Sequence, residues 1–139
     1  MKSLIPSVIL LSLTLSFCAK YKVYKNLEEA ISEADKVEVL DLSGQKINSF
    51  PKELLKLPRL RRLSLSFNQI KEIPESIVQM KSLKVLGLVD NQITVLPDNI
   101  SQLKGLRVLY LMKNPLSGGE KRRIKKALPD CRVYFKASE

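Results

Sequence analysis

Apolar positions recur along the chain in a pattern that repeats every 23 residues. The pattern runs through residues 37–59, 60–82 and 83–105, and a fourth copy degenerates after residue 116. Each copy contains a short apolar–polar–apolar alternation, which is typical of a strand because successive strand side chains point to opposite faces. One such repeat cannot bury its own apolar side chains, so neighbouring repeats must stack. The pattern therefore predicts a solenoid whose short strands lie side by side in a parallel sheet.

The repeats place the same kind of residue at the same position in each copy. After each proline position, apolar residues lie three apart, which predicts a short helical or extended turn on the side opposite the sheet. One strand position is shared by Leu40, Leu63, Leu86 and Leu109, the next by Leu42, Leu65, Leu88 and Leu111, and the proline position by Pro51, Pro74 and Pro97.

The two ends of a solenoid need covers, because its core would otherwise meet water. Residues 19–36 are predicted to form an N-terminal helical cap. Asn26 followed by Glu29 is typical of a capping box at the start of a helix. One apolar stripe then faces the repeats, made of Leu27, Ala30, Ile31 and Ala34.

Residues 117–139 are predicted to form the C-terminal cap, which is a helix followed by a last strand. Ser117 and Glu120 form a second capping-box pattern, and Pro129 ends the helix. The segment CRVYF alternates, which directs Cys131, Val133 and Phe135 inward.

The repeat pattern LxxLxLxxNxIxxIPxxIxxLxx over residues 37–116 resembles the leucine-rich-repeat family. VEVLDLSGQKI and KNPLSGGEKRRIKKALPDCRVYF resemble the short exported members found in spirochaetes. The resemblance implies an α/β fold: a short right-handed superhelix with a concave parallel sheet and a helical cap at each end. It also implies a buried asparagine ladder, formed by Asn68, Asn91 and Asn114, which the first repeat interrupts with Gln45.

The N-terminal segment is predicted to direct export. Lys2 precedes an uncharged stretch, residues 4–17, that is too short to cross a bilayer comfortably and fits a secretory signal peptide over residues 1–18. LSFC also resembles a lipobox, in which Cys18 would be lipidated, although Phe17 departs from the small residue usual before that cysteine. The expected location is therefore secreted, periplasmic or on a bacterial surface, with a lipid anchor as the alternative to free release.

Residue content argues against an enzyme. The chain has no histidine and only two cysteines, which excludes histidine-based triads and the usual zinc sites. The carboxylates are scattered over different repeats, so no catalytic residue, metal site or cofactor is predicted. Cys131 is expected to be a small buried apolar residue, because no disulfide framework is available.

The concave face is predicted to carry the binding surface. Polar residues are expected at solvent-facing sheet positions, yet the last two rungs place five apolar residues there. An exposed apolar patch would mark a contact surface for a protein partner; in the alternative, the valines merely favour strand structure. The predicted partner-binding residues are Arg62, Phe67, Val85, Val89, Val108, Tyr110 and Met112.

The positive charge adds a second hypothesis. The formal net charge is +10, and the cap segment EKRRIKKAL concentrates cations on one helix. A solvated helix face explains this, and the alternative is binding of a polyanion, such as a sulfated glycan or an acidic lipid surface. The absence of aromatic residues in the segment argues against nucleic acid. The candidates for polyanion binding are Lys121, Arg122, Arg123, Lys125 and Lys126.

By analogy with the family, the expected function is an interaction module that engages host molecules. A polyanion-binding adhesin is the second hypothesis, and a periplasmic structural protein that contacts the envelope is the third. Self-association also remains open, because the ends of a narrow solenoid stay partly exposed.

Overall fold

The structure, a computed structural model, describes residues 21–137. Within that range six short strands form one parallel sheet in chain order, which confirms the predicted α/β leucine-rich-repeat solenoid. The predicted signal peptide and Cys18 lie outside the described residues. The strands are β1 (Val23–Tyr24), β2 (Val39–Asp41), β3 (Arg62–Ser64), β4 (Val85–Gly87), β5 (Val108–Tyr110) and β6 (Arg132–Tyr134).

The repeat sets the register of the central strands. Leu40 pairs with Leu63, Leu63 with Leu86, and Leu86 with Leu109, so equivalent residues lie beside each other at every step. All four leucines are buried in one continuous apolar core. A slip of one residue would turn these side chains to the opposite face, so burial fixes the register.

Three 3₁₀ turns line the other side of the core, at Lys52–Lys56, Glu75–Gln79 and Asp98–Gln102. A proline precedes each turn, with φ between −73° and −56°. Proline fixes φ near the value that such a turn needs, which explains why a turn begins at this position in each repeat. This observation confirms the predicted short helical turns.

The asparagine ladder joins neighbouring repeats through their backbones. The amide nitrogen of Asn68 donates to the carbonyls of Leu42 and Leu65, and its oxygen accepts from the N–H groups of Gln45 and Ile47, all at 2.9–3.0 Å. Asn91 and Asn114 donate to the equivalent carbonyls one and two rungs later, and their oxygens accept from the N–H groups of Ile70 and Ile93. The ladder therefore satisfies buried backbone groups that water cannot reach.

The N-terminal cap contains a strand as well as the predicted helix. β1 pairs with β2 and precedes α1 (Leu27–Ser32), and the side chain of Asn26 accepts from the N–H of Glu29 as its pattern predicts. A 3₁₀ turn, Ala34–Lys36, follows. β1 was not predicted, because two residues are too few to show an alternation.

The C-terminal cap is α2 (Gly118–Ala127) followed by β6. Ser117 caps α2 as predicted, since its hydroxyl oxygen accepts from the N–H of Glu120 at 3.0 Å. The Glu120 carboxylate, however, accepts a hydrogen bond from the N–H of Leu96 at 2.9 Å, and another from Arg123. Glu120 thus connects α2 to the last full repeat.

Among residues 21–137, no helix is both long enough and apolar enough to span a membrane.

Candidate binding surface on the concave face

The concave face is the sheet surface turned away from the main core, and its two halves differ in chemistry. Around β2 and β3, the small polar residues Asp41, Ser43 and Ser64 bond to one another, beside the row that holds Val39 and Arg62. The hydroxyl groups of Ser43 and Ser64 lie 2.6 Å apart, and the Asp41 carboxylate accepts from the N–H of Ser43 at 3.0 Å. These three polar side chains therefore direct part of their hydrogen bonding to each other and to the backbone.

The second half, toward β6, is an apolar cluster separate from the main core. Its centre is Val89, Tyr110 and Met112, which are 2–5% exposed. The ring of Tyr110 stacks on Tyr134, with ring centroids 5.2 Å apart and 17° between the planes. Burial raises the pKa of Tyr110 above its ordinary value. The partly buried residues around this centre are Phe67, Val85, Val108 and Tyr134.

The structure corrects the prediction that the whole apolar patch is exposed. Val89, Tyr110 and Met112 are buried, because neighbouring strands hold their side chains about 4.8 Å apart and Tyr134 covers one end. The sequence interpretation missed Tyr134. The signal was present, since inward Val133 requires its neighbour to face the concave side.

The accessible part of this surface is the set of partly exposed side chains around the buried cluster, which we call the outer layer: Phe67, Val85, Val108 and Tyr134. Val85 and Val108 are partly exposed and occupy one position on adjacent strands. In the same row, Arg62 precedes Val85 and Arg132 follows Val108. Two apolar residues thus lie between two arginines in one row, and they pack against the buried cluster of Val89, Tyr110 and Met112.

Phe67 belongs to this layer, and its backbone adopts an unfavourable conformation. Its φ is +58°, and the equivalent residues Gly44, Asp90 and Lys113 share the left-handed region. Only the glycine adopts this conformation without steric cost. Phe67 is partly buried against the apolar cluster. An aromatic side chain therefore occupies a strained position at the rim of the concave face.

A matched pair of variants measures this backbone cost. We expect Phe67→Asn to have a higher free energy of unfolding than Phe67→Ala, by about 1 kcal/mol, because asparagine tolerates the left-handed region better than alanine does. Both variants lose the same aromatic contact, so the difference isolates the backbone. Urea unfolding of the two variants tests this, and equal stability would contradict it.

The predicted polyanion residues on α2 do not form one uniform surface. The Arg123 guanidinium binds Glu120 at 2.7 Å, lies 3.6 Å from Asp98 and donates to the carbonyl of Leu96. These contacts place Arg123 in the connection between the cap and the repeats, which corrects its assignment to a ligand surface. Lys121 and Lys125 approach the ring of Phe135, at 5.8 and 5.6 Å. Arg122 and Lys126 are exposed.

Cys131 is partly rather than fully buried, which differs from the expectation of a buried apolar residue. It packs against the main core, and burial raises the pKa of its thiol to about 11. A thiol with so high a pKa is mostly protonated at neutral pH and reacts slowly.

The comparisons with known proteins agree with this architecture. A family profile described as "Leucine-rich repeat region" matches residues 12–121. The chain belongs to the leucine-rich-repeat family. This leucine-rich-repeat chain is also similar to a solved leucine-rich-repeat protein of Leptospira interrogans, with 44% sequence identity and a TM-score of 0.71. The match covers 79% of this chain and 28% of that protein, so the chain spans less than a third of its length. No curated protein matches the chain.

Family membership bears on the chemistry of the site. Leucine-rich-repeat proteins generally mediate protein–protein interactions and are generally not enzymes. Within the part of the chain that the structure describes, no group of three or more His, Cys, Asp or Glu residues could hold a metal ion. Within the described residues, the concave face presents apolar, aromatic and arginine side chains.

Proposed function

We propose that this leucine-rich-repeat protein is a non-catalytic binding module that docks a protein partner on the outer layer of its concave face. The observation that carries the proposal is the row in which Val85 and Val108 lie between Arg62 and Arg132, next to a stacked tyrosine pair in the adjacent row. Apolar, aromatic and arginine side chains are the types enriched at protein interfaces. The family's general role in protein interaction supports the same conclusion.

The layered arrangement assigns different roles to the predicted residues. Phe67, Val108 and Tyr134 are accessible enough to contact a partner directly. Tyr110 and Met112 are buried and support those side chains by packing against them. The fitting partner surface presents an apolar group with acidic groups on either side, because the two arginines flank the valines.

Site-specific photocrosslinking tests the proposal because it captures a partner whose identity is still open. A photoreactive phenylalanine analogue at Phe67 or Tyr134 should capture a host or bacterial surface protein. The same analogue at Gln79, an exposed residue on the 3₁₀ turn side, should not capture it. The captured protein is then purified for affinity measurements.

The dissociation constant for that protein should rise at least tenfold in Val108→Ser, which corresponds to about 1.4 kcal/mol. Gln79→Ser is the control and should bind like the unmodified chain. A partner that crosslinks only from Gln79, or binds Val108→Ser normally, would overturn the proposal. Urea unfolding confirms that each variant is folded at the assay temperature.

We further propose that the module is exported, because residues 1–18 have the character of a signal peptide. Mass spectrometry of the mature N-terminus separates the two forms of this proposal. A start at Ala19 or Lys20 indicates release, and an acylated Cys18 indicates a lipid anchor. An unprocessed Met1 in cells would contradict export by this route. Binding of host molecules is a proposal that depends on this export.

A further inference from the structure

A second, chemically different surface lies along the edge of the sheet where the strands begin. Each of three successive repeats carries one cation just before its strand and another in the preceding turn. We call this set the basic rim. It consists of Arg59, Arg61, Lys81, Lys84, Lys104 and Arg107.

Backbone hydrogen bonds fix the spacing of the basic rim. The N–H of Lys84 donates to the carbonyl of Arg61, and the N–H of Arg107 donates to the carbonyl of Lys84, both at 2.8 Å. Consecutive cations therefore start from backbone positions about 4.8 Å apart, the spacing of neighbouring strands. Four of the six, together with Glu38 and Ser82, line one surface recess of about 380 Å³.

Few carboxylates balance the charge of the basic rim. Glu38 lies 3.8 Å from Arg59 and 3.6 Å from Arg61. Lys81, Lys84 and Lys104 form no ion pair within residues 21–137. At the far end, Asp130 shares a groove with Lys104. Six cations and two carboxylates leave a formal net charge of +4.

This arrangement opposes folding, because like charges on neighbouring strands repel each other. An anion bound across the rungs would remove that repulsion. Arg107 already donates to the carbonyls of Lys104 and Leu106, whereas the ammonium groups of Lys81 and Lys84 sit at a recess that an anion could enter.

The surroundings of the basic rim distinguish between classes of ligand. The recess of about 380 Å³ is lined only by charged residues and Ser82, so a protein partner would find no apolar anchor in it. The adjoining recess, which Arg61 and Lys84 also line, contains Val39 and Val85 at the edge of the concave face. Tyr21 is the aromatic residue that lines the recess beside the rim, and one ring is not enough for base stacking along a nucleic acid. A flat lipid surface reaches the outermost charges of a recess but not its interior.

We infer that the basic rim binds a linear sulfated polysaccharide, whose anionic groups lie across successive repeats. This inference is independent of the proposed concave-face partner, because the two surfaces share none of their proposed contact residues. It also differs from the hypothesis of polyanion binding by α2, from which the structure removes Arg123.

The experiment compares two triple variants of the full chain that change the net charge equally. One is Lys81→Gln/Lys84→Gln/Lys104→Gln, whose lysines form no ion pair in the described range. The other is Arg122→Gln/Lys125→Gln/Lys126→Gln on α2. Binding to immobilised heparin is measured over a series of salt concentrations, and thermal unfolding checks that both variants fold.

The rim variant should bind heparin at least tenfold more weakly and with a shallower salt dependence, because fewer counterions are released on binding. The α2 variant should stay within about threefold of the unmodified chain, as expected for a change in net charge alone at a distant position. Equal losses in both variants, or a larger loss in the α2 variant, would overturn the assignment. Stronger rim-dependent binding to single-stranded DNA or to phosphatidylserine vesicles than to heparin would overturn the glycan class.

Discussion

Asn91→Ala is expected to lower the free energy of unfolding by about 3 kcal/mol, a large share of the stability of a small domain. The Asn91 oxygen accepts the N–H of Ile70 at 3.0 Å, in a buried position. Its nitrogen donates to the carbonyls of Leu65 and Leu88 at 3.0 and 3.1 Å. Alanine removes these three bonds and a longer one to the Val89 carbonyl at 3.4 Å, and it leaves the Ile70 N–H without its acceptor.

The carbonyls of Leu65 and Leu88 should contribute less to the loss of stability than this N–H group does, because each keeps another hydrogen bond. Leu65 still accepts from Asn68, and Leu88 still accepts from Asn114, so the neighbouring ladder residues retain one bond to each. Most of the loss therefore comes from the buried N–H group of Ile70, whose desolvation is no longer offset.

Gln92→Ala is the matched control, because Gln92 is the adjacent residue and its side chain is exposed. It should change the free energy of unfolding by less than about 0.5 kcal/mol. Urea unfolding followed by circular dichroism measures both variants. Asn91→Ala within about 1 kcal/mol of the unmodified chain would show that the ladder does not stabilise the solenoid in this way.

The stacked strands and their buried leucines could be predicted from the sequence because they depend on the short-range alternation of side chains along a strand. A strand that buries alternate residues must keep Leu63, Leu86 and Leu109 on one face, whatever the other side chains do. The caps were predictable for a similar reason, since Asn26 and Ser117 act on backbone N–H groups three residues away. The asparagine ladder rested instead on the family resemblance.

The candidate site was only partly predictable. The positions of Val89 and Met112 on the concave face follow from strand alternation, but their burial depends on residues brought there by other repeats. Tyr134 comes from β6, where the register step is 24 residues rather than 23, because α2 separates it from the repeats. The left-handed backbone at Phe67 had one hint, which was Gly44 at the equivalent position.

The basic rim could not be predicted as a surface, although each of its residues is a cation in the sequence. Its cations are visible in the sequence, but Arg61 and Lys84 are 23 residues apart in the chain, so their convergence on one recess requires the stacked repeats. Arg123 is the converse case. It belongs to a basic segment, yet it contacts Glu120, Asp98 and Leu96 once the helix packs against the last repeat.

Glu120→Ala is expected to lower the free energy of unfolding by about 2 kcal/mol, because it breaks a partly buried ion pair and leaves the Leu96 N–H and Arg123 without a partner that they share. The carboxylate of Glu120 is 9% exposed and also accepts from the N–H of buried Leu96. Arg123 in turn donates to the Leu96 carbonyl, so both backbone groups of one residue depend on the cap. Glu120→Gln keeps an acceptor for Leu96 and should lose about half as much.

The pH dependence of stability separates the charge of Glu120 from its packing. The hydrogen bond from Arg123 lowers the pKa of the Glu120 carboxyl below its ordinary value in the folded state. Its contribution is therefore complete above the unfolded-state pKa of about 4.3 and is lost as the pH falls through the lower folded-state pKa. The stability difference between the unmodified chain and Glu120→Gln should shrink over that acidic range.

Glu33, whose pKa is also lowered, is present in both proteins, so its effect cancels from the comparison. A difference that stays constant from pH 6 to pH 3 would mean that the charge of Glu120 does not hold the C-terminal cap in place.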